Sequence, residues 1–587
     1  MRILALRYLW LFFFLAATVV HAQERNITGT VSDEKGTALP GATVAVKNSK
    51  LSTMTSADGR FTLKIPATAR VLVISYSGME KEELSLGSKS SYAVILRPSI
   101  TTLGDVVVVG YGTVRRSDVT GAATRLSREE FIRDNPTNIL QALQGKLAGV
   151  NVTQNDGAPG AGISIRVRGS NSFLGGTEPL YVIDGVPFNN SNSGATPESI
   201  GSDEKQTLNA LAFLNPNDIE SIDILRDASA TAIYGSRGAN GVVLITTRKG
   251  RIGKDKVELF VNVGMSEVSK QINVLSPYEY GLYQNLSYAN SNKYDGTSYT
   301  LPYTDTELDS LRSEHTNWQD MIFRRALMQQ YSVNVSGASE AGSHSLSMNY
   351  VNQEGTIINS GYKKIGLSVN LSRNLGKKVK VGTSTALSNS VTRGVKTGSD
   401  KSDAASAGVI RSAITYPPTI REEEEFDGTG EGFFITNPVI YARDVLNKVS
   451  GVTIFSSNYA EASLLKWFKF RQNLGFNFGY NTRDQYYPRS VYEGFSVKGW
   501  GLKADNQWNS LVSESILSFN RKLLKHNIGF TAASTFERTN GQSKRSEAKT
   551  FPNDLLQNEN MQAAEQILPV ITNKYQSTLI SFLGRVN

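Results

Sequence analysis

From Lys256 onward the chain keeps a two-residue rhythm. Val257, Leu259, Val261, Val263 and Met265 alternate with Glu258, Phe260, Asn262, Gly264 and Ser266. The alternation returns in Tyr331, Val333, Val335, in Leu346, Met348, Tyr350, in Ile365, Leu367, Val369, Leu371 and in Val379, Val381. It continues through Phe468, Phe470, Leu474, Phe476, Phe478, Tyr480, through Ile528, Phe530 and through Ile580, Phe582, Val586. Successive side chains of a strand point to opposite faces, so this period predicts strands with one apolar and one polar face. Two architectures satisfy it: a sandwich whose apolar faces meet in a core, or a barrel whose apolar face meets lipid around a polar lumen.

The front of the chain is patterned on a smaller scale. Short runs at Ile27–Val31, Thr43–Val46, Phe61–Ile65, Val71–Tyr76 and Tyr92–Leu96 are separated by Asp33-Glu34-Lys35-Gly36, Leu39-Pro40-Gly41 and Asp58-Gly59. That spacing predicts a small all-β sandwich. Asp58-Gly59 reads as a hairpin turn rather than a calcium ligand, because no second acidic cluster sits at calcium-loop spacing. Next come Val106, Val107, Val108 and Val109, between Asp105 and Gly110. An extended peptide of this kind can add to an exposed sheet edge through its backbone; the alternative is the last strand of the sandwich. Between Asp118 and Gly250, strand-like runs such as Leu180–Ile183 and Val242–Thr246 alternate with a helix-like run, Asn138–Lys146, which predicts an α+β domain.

Composition narrows the class. With 587 residues, 40% hydrophobic and 20% charged, the chain is too long for one domain and too polar for a helical membrane protein. Arg2 and Arg7 precede a 12-residue apolar run, Leu9–Val20, and Val20 and Ala22 occupy the small-residue positions of a signal-peptidase site. A bilayer span needs about 20 apolar residues, so the run reads as a signal peptide cleaved after Ala22. Its removal takes the formal charge from +9 to +7, the difference being Arg2 and Arg7. The basic residues are scattered rather than gathered into stripes, and no nucleic-acid partner is expected. There is no cysteine, which excludes disulfides and cysteine-ligated zinc and suits an oxidising compartment. No catalytic or metal constellation is expected either. The run Glu422-Glu423-Glu424-Glu425 looks like a solvated loop, and His315, His344 and His526 are dispersed. Gly235, Gly238 and Gly241 read as turn glycines with positive φ, since no Walker lysine and serine follow them.

Four ordered blocks carry a resemblance. They are LQALQGKLAGV from Leu140, IRVRGS from Ile165, PLYVIDGVP from Pro179, and NPNDIESIDILRDASATAIYGSRGANG from Asn215 running into Val242–Thr247. Together they resemble the plug domain of the SusC/RagA family of TonB-linked outer-membrane transporters. The run ITGTVSDEKGTALPGATVAVKNSKLSTMTSADGRFTLKIP resembles the carboxypeptidase-regulatory-like domain, an immunoglobulin-like fold. Asn317-Trp318-Gln319-Asp320, Tyr416-Pro417-Pro418 and Asn437-Pro438-Val439 match the first family as well. The resemblance implies that Asp105, Val106, Val107, Val108, Val109 and Gly110 are a TonB box, the tether pulled by the TonB complex. It implies a plug motif made of Arg166, Arg168, Gly169, Asp184, Gly185, Arg226, Asp227, Tyr234, Gly235, Arg237, Gly238, Asn240 and Gly241. The charged members could hold the plug to a polar inner wall by ion pairs that release under load, or equally be ordinary solvated or scaffold-packing charges. For a complete relative it implies uptake of a large glycan or peptide fragment, with TonB and a SusD-like surface lipoprotein as partners, outer-membrane lipid around the barrel and no cofactor. The rival readings are an exported adhesin and a secreted β-rich hydrolase.

The expected organisation is therefore mainly β. It comprises a signal peptide (1–22), an Ig-like β-sandwich (23–97), a TonB-box-like linker (98–117), an α+β plug (118–250) and part of an antiparallel transmembrane β-barrel (251–587). Plugged transporters have barrels of about 22 strands, whereas the 335 residues after Ile252 hold roughly ten. The expectation is an incomplete barrel that does not transport alone, with substrate-contacting loops such as Ser390–Val449.

Overall fold

The computed structural model describes residues 24–586 apart from 34–35, 48, 50, 67–68, 77–78, 88, 98–105, 110–111, 116–122, 134, 148, 155–156, 168–176, 189–210, 314–315, 395–407, 421–435 and 524–525. The signal-peptide expectation, Asp105, Gly110, Arg168 and Gly169 lie outside the described residues.

The front region has seven strands: β1 (Glu24–Ser32), β2 (Thr43–Val46), β3 (Ser52–Met54), β4 (Arg60–Pro66), β5 (Val71–Ser75), β6 (Glu82–Ser85) and β7 (Ser91–Ile95). They form two sheets, ordered β4-β1-β7 and β3-β2-β5-β6. Inward positions of both sheets, among them Ile27, Val44, Phe61, Ile65, Leu72 and Ile74, share one apolar core. All five runs expected from alternation are strands, and Asp58-Gly59 is a turn, with Gly59 at φ 72°. The pattern missed β3 and β6, which are too short to show a period.

The valine run forms a strand, β8 (Val106–Val109), paired with β9 (Gly112–Arg115) in a two-stranded sheet. Among the described residues it joins neither sheet of the sandwich.

The domain that follows contains β10 (Ala123–Ser127), β11 (Asn151–Gln154), β12 (Ile163–Arg166), β13 (Leu180–Ile183), β14 (Val186–Phe188), β15 (Ile219–Leu225) and β16 (Val242–Thr247). Five of them make a mixed sheet, β10-β15-β16-β13-β14, in which only β13 and β16 run parallel. β11 and β12 form a separate hairpin ladder. The helix Arg128–Ile132 starts on Ser127, whose N–H and Oγ both donate to the Glu130 carboxylate at 2.8 and 2.9 Å. These bonds hold Glu130 below the usual carboxylate range. The helix-like run Asn138–Lys146 is no α-helix: it contains a single 3-10 turn, Gln141–Leu143. Asn138 Oδ1 accepts from Leu140 N instead of leaving that donor to a helical carbonyl, and Gly145 sits at φ 72°. Such local side-chain bonds compete with helix formation.

The remainder is a wall of long strands: β17 (Lys256–Ser266), β18 (Ala326–Ser339), β19 (Gly342–Glu354), β20 (Gly361–Leu375), β21 (Val379–Arg393), β22 (Leu446–Leu465), β23 (Phe468–Tyr487), β24 (Trp500–Leu523), β25 (His526–Lys549), β26 (Gln566–Ile567) and β27 (Ile571–Val586). Each pairs antiparallel with its neighbour in sequence through β25, and β26 and β27 both lie on β25. That makes the ten long strands expected. Among the described residues β17 and β27 do not pair, so the sheet is an open barrel segment. No described helix is long and apolar enough to cross a membrane.

The wall's two faces are inverted relative to a soluble sheet. Val257, Leu259, Leu346, Leu367, Leu474 and Phe476 are exposed, whereas Ser332, Asn334, Ser347, Asn477, Arg483 and Glu514 are buried. Its two ends also differ. Among the described residues, turns of two or three residues at 340–341, 376–378 and 466–467 close one end; the longer connections between β17 and β18 and between β21 and β22 belong to the other. Short periplasmic turns and long extracellular loops are the pattern of outer-membrane barrels. The loop expected at Ser390–Val449 is narrower, because Ser390–Arg393 and Leu446–Val449 extend the ladders of β21 and β22. Three matched motifs meet among these loops. Trp318 packs edge-on to Tyr416 at 5.0 Å and donates to Pro417 O at 3.1 Å, while Asn437 caps the helix Pro438–Asp444 beside Tyr441 in the same cluster.

Candidate functional site

The polar face of the wall is buried because the inner domain lies against it, and that seam is the candidate site. Its middle is aromatic. Phe188 at the end of β14 and Phe213 meet at a tilt at 5.2 Å, and each reaches Phe455 of β22, at 6.1 and 5.7 Å. Phe188 also meets Trp508 of β24 edge-on at 6.1 Å. β14 rides so close to β23 that a Cβ on Gly475 would collide with the Val186 side chain. Ion pairing was the expected adhesive; an apolar cluster joins it, because inward wall positions such as Phe455 and Trp508 break the polar alternation.

Hydrogen bonds surround this centre. Asp184 and Gly185 are the two residues of the β13–β14 turn, with φ of 49° and 87°. Two positive φ values define the tight hairpin turn that Asp-Gly favours. The turn presents Asp184 to Thr247 and to the wall: Thr247 N and Oγ1 donate at 3.0 and 2.6 Å, and Ser384 Oγ of β21 donates at 2.6 Å. Asn370 of β20 donates to Arg248 O at 3.1 Å. Arg248 in turn forms an ion pair with Glu258 of β17, with one contact of 2.7 Å.

Three adjacent strands hold the segment 211–218. From β18, Ser332 Oγ accepts from Asn215 Nδ2 at 3.1 Å; from β19, Ser347 Oγ donates to Asp218. From β20, Lys364 Nζ donates to Ala212 O and Leu214 O at 2.9 and 3.3 Å. Lys364 is 3% exposed and Asp218 is 5% exposed. Burial pushes the Asp218 carboxyl upward, opposed by its bonds to Ser347 and Ser368 and by the charges of Lys364 and Arg248. Beside Lys364 lies a cavity of about 60 Å³ bordered by Gln141, Gln154, Gln353 and Tyr362.

The motif residues fall into distinct places. Arg237 forms an ion pair with Glu537 of β25, which joins inner domain to wall. Asp184 also touches the wall, as above. Arg226 lies against Gly149, whose Cβ would meet its guanidinium, and Asp227 precedes the helix Ala228–Thr231. Tyr234 is buried with Val182, Leu225 and Ile233 inside the domain, and Asn240 Nδ2 donates to Glu178 O at 3.3 Å. Arg166 is exposed at the end of β12. Gly235 and Gly241 have positive φ, as expected of turn glycines; Gly238 does not. Its reason is space, since a Cβ there would lie 2.7 Å from Thr231 O. The motif is thus partly scaffold and partly seam. The sequence reading missed Lys364, Asp218, Ser332, Ser347, Ser384 and Glu537. Strand parity could have found Lys364, which sits at an inward position next to the outward Ile365 and Leu367.

Comparisons with known proteins agree with this arrangement. Residues 115–242 match the TonB-dependent Receptor Plug Domain, and residues 27–109 match the CarboxypepD_reg-like domain. The second match runs through Val109, although β8 pairs with β9. The chain is 32% identical to TonB-dependent receptor P26 of Formosa agariphila over 97% of its own length and 54% of the relative's. It is 36% identical to TonB-dependent receptor SusC of Bacteroides thetaiotaomicron over 60% of its own length and 32% of the relative's. The structure of the RagAB peptide importer in its open-open state shares the fold, with a TM-score of 0.68 at 21% identity, covering 82% of this chain and 54% of the other. The chain spans about half the length, or less, of the curated relatives it matches.

Proposed function

Because the chain belongs to the SusC/RagA family of TonB-dependent receptors, we propose that it supplies the sandwich, the plug and ten wall strands of an outer-membrane channel for energised nutrient uptake. The observation that carries this reading is the inverted wall with a folded domain fastened to its polar face. A lipid-facing apolar surface and a plugged lumen explain both halves of it. A secreted hydrolase or an adhesin needs neither.

The cargo in this reading is a glycan or peptide fragment, taken up with a SusD-like lipoprotein on the loop side and TonB on the turn side. The peptide class is supported by the RagAB peptide importer, whose fold this chain shares; the glycan class rests on the family resemblance alone. Val106–Val109 suit the tether role, since β8 is an extended strand in a two-stranded sheet ahead of the plug. Pulled free of β9, its backbone can add to a partner's sheet edge. The motif residues then divide into two roles. Asp184 and Arg237 act as releasable contacts between plug and wall, while Tyr234, Gly235, Gly238, Asn240 and Gly241 maintain the plug's shape.

Val107→Pro in the complete protein tests the coupling, because proline removes a backbone donor from the tether. Growth on the transported nutrient should fall to the level of a TonB-deficient strain while the amount of protein in the outer membrane is unchanged. Normal TonB-dependent growth of the variant would exclude Val106–Val109 as the tether.

A further inference from the structure

The short-turn rim of the wall carries charge that the plug seam does not use. Arg373 near the end of β20, Lys377 and Lys378 in the following turn, Lys466 in the β22–β23 turn and Arg521 near the end of β24 are all exposed. The segments 371–380, 462–471 and 515–525 contain no aspartate or glutamate. Among the described residues, none of the five cations has a carboxylate within ion-pair distance.

The cations are held in a row. Ser463 N donates to Lys378 O at 2.7 Å, and Asn520 N donates to Trp467 O at 2.8 Å, so each turn is tied to the next strand. From β20 to β24 the row crosses four strand spacings, about 20 Å. Trp467 lies within it. Its ring meets Phe519 edge-on at 5.0 Å and Phe468 at 6.2 Å, and the Arg521 guanidinium lies 5.7 Å from its centroid. Phe468 and Phe519 are register partners, on the face that also exposes Leu474, Phe476 and Leu517. The row of cations therefore borders the apolar outer face, with an amphipathic indole at the border.

We propose that this rim binds the anionic headgroups of glycerophospholipids in the leaflet it faces. The proposal rests on the reading of the wall as a membrane barrel. Tryptophan prefers the boundary between acyl chains and headgroups. A basic residue held near an anionic lipid surface strengthens association about fivefold. An acidic soluble partner would match the charge but not the apolar band continuous with it.

The test uses the complete protein reconstituted in phosphatidylcholine vesicles, into which dibrominated phosphatidylglycerol or dibrominated phosphatidylcholine is titrated. Bromine quenches tryptophan on contact, and subtracting the signal of the Trp467→Phe variant isolates the rim. Phosphatidylglycerol should be preferred about fivefold or more at low salt, with the preference weakening as salt screens the charges. The combined variant Lys377→Gln, Lys378→Gln, Lys466→Gln, Arg521→Gln should show a ratio near one. Equal quenching by the two lipids in the unaltered protein, or a preference that survives the combined variant, overturns the proposal. So does loss of the preference on adding millimolar inorganic phosphate, which would mark a site for free anions. No quenching of Trp467 by either lipid would instead overturn the membrane reading of the wall.

Discussion

The sandwich and the wall are built from the same alternation of apolar and polar residues, and they bury opposite halves of it. In the sandwich Leu72 and Ile74 of β5 are fully buried; in the wall Leu367 and Phe476 are exposed while Asn477 and Glu514 are fully buried. The difference lies in what each face meets. Two sheets of the sandwich supply apolar partners for each other, so water takes the polar faces. In the wall the inner domain supplies polar partners for one face, and the other is left for a solvent that favours leucine and phenylalanine. An alternating strand thus specifies two faces, and the neighbours decide which is the inside.

The comparison can be broken at three points. If the inward wall is a true interior, Lys364→Met should be the most costly change, about 3–5 kcal/mol, because it removes one of the two cations that oppose the buried Asp218 charge. Urea titration of the complete protein folded in vesicles would measure it. The deficit should depend on pH in a defined direction. Asp218 already has a raised pKa, and removing Lys364 raises it further. The protonated, neutral acid is the form that tolerates burial, so the deficit should be greatest at neutral pH and shrink as pH falls through the raised value. A deficit that grows on acidification would contradict the assignment. Leu367→Arg on the outer face should cost about 2–4 kcal/mol in the same titration near the bilayer midplane. In the sandwich, Met54→Arg at an exposed position should change stability by less than about 0.5 kcal/mol. Equal effects at the two sites would mean that the wall's outer face sees water. A smaller effect than either wall substitution belongs to the plug's first helix. Ser127→Ala removes a capping donor and should lower stability by about 1 kcal/mol. Since Glu130 has a depressed pKa, what this interaction contributes should be present at neutral pH and lost as pH falls through the depressed value.

Much of the fold was legible because its strands are long or bounded by turn residues. Five runs in the sandwich and eight of the ten long wall strands announced themselves by period, and Asp58-Gly59 by turn chemistry; β22 and β24 were not among the alternating runs, and the Asp184-Gly185 turn was not read as one. The short strands β3 and β6 had no period to show, and Asn138–Lys146 had helical composition but a competing asparagine bond. The seam was legible only in part. Arg237 and Asp184 stand inside recognisable motifs, but their partners Glu537 and Ser384 lie 300 and 200 residues away. Nothing local marks a serine as a docking contact rather than a solvated one. Phe455 and Trp508 were hidden for a different reason: an aromatic on the polar parity of a strand looks like noise until a Phe188 is seen against it.

The connectivity of the wall has a kinetic consequence. Every strand from β17 to β25 pairs with its neighbours in sequence, and among the described residues three of the connections are turns of two or three residues. Such a sheet can grow one hairpin at a time, with little loop-closure entropy lost at each addition. The seam has the opposite character, since the contact between Arg237 and Glu537 closes a loop of 300 residues. That contact can form only after β25 has been added, by a search across about half of the chain. Docking of the plug, rather than formation of the wall, is therefore the late and slow event of folding, and until it is complete the polar face with its buried Glu514 and Arg483 stands open to water.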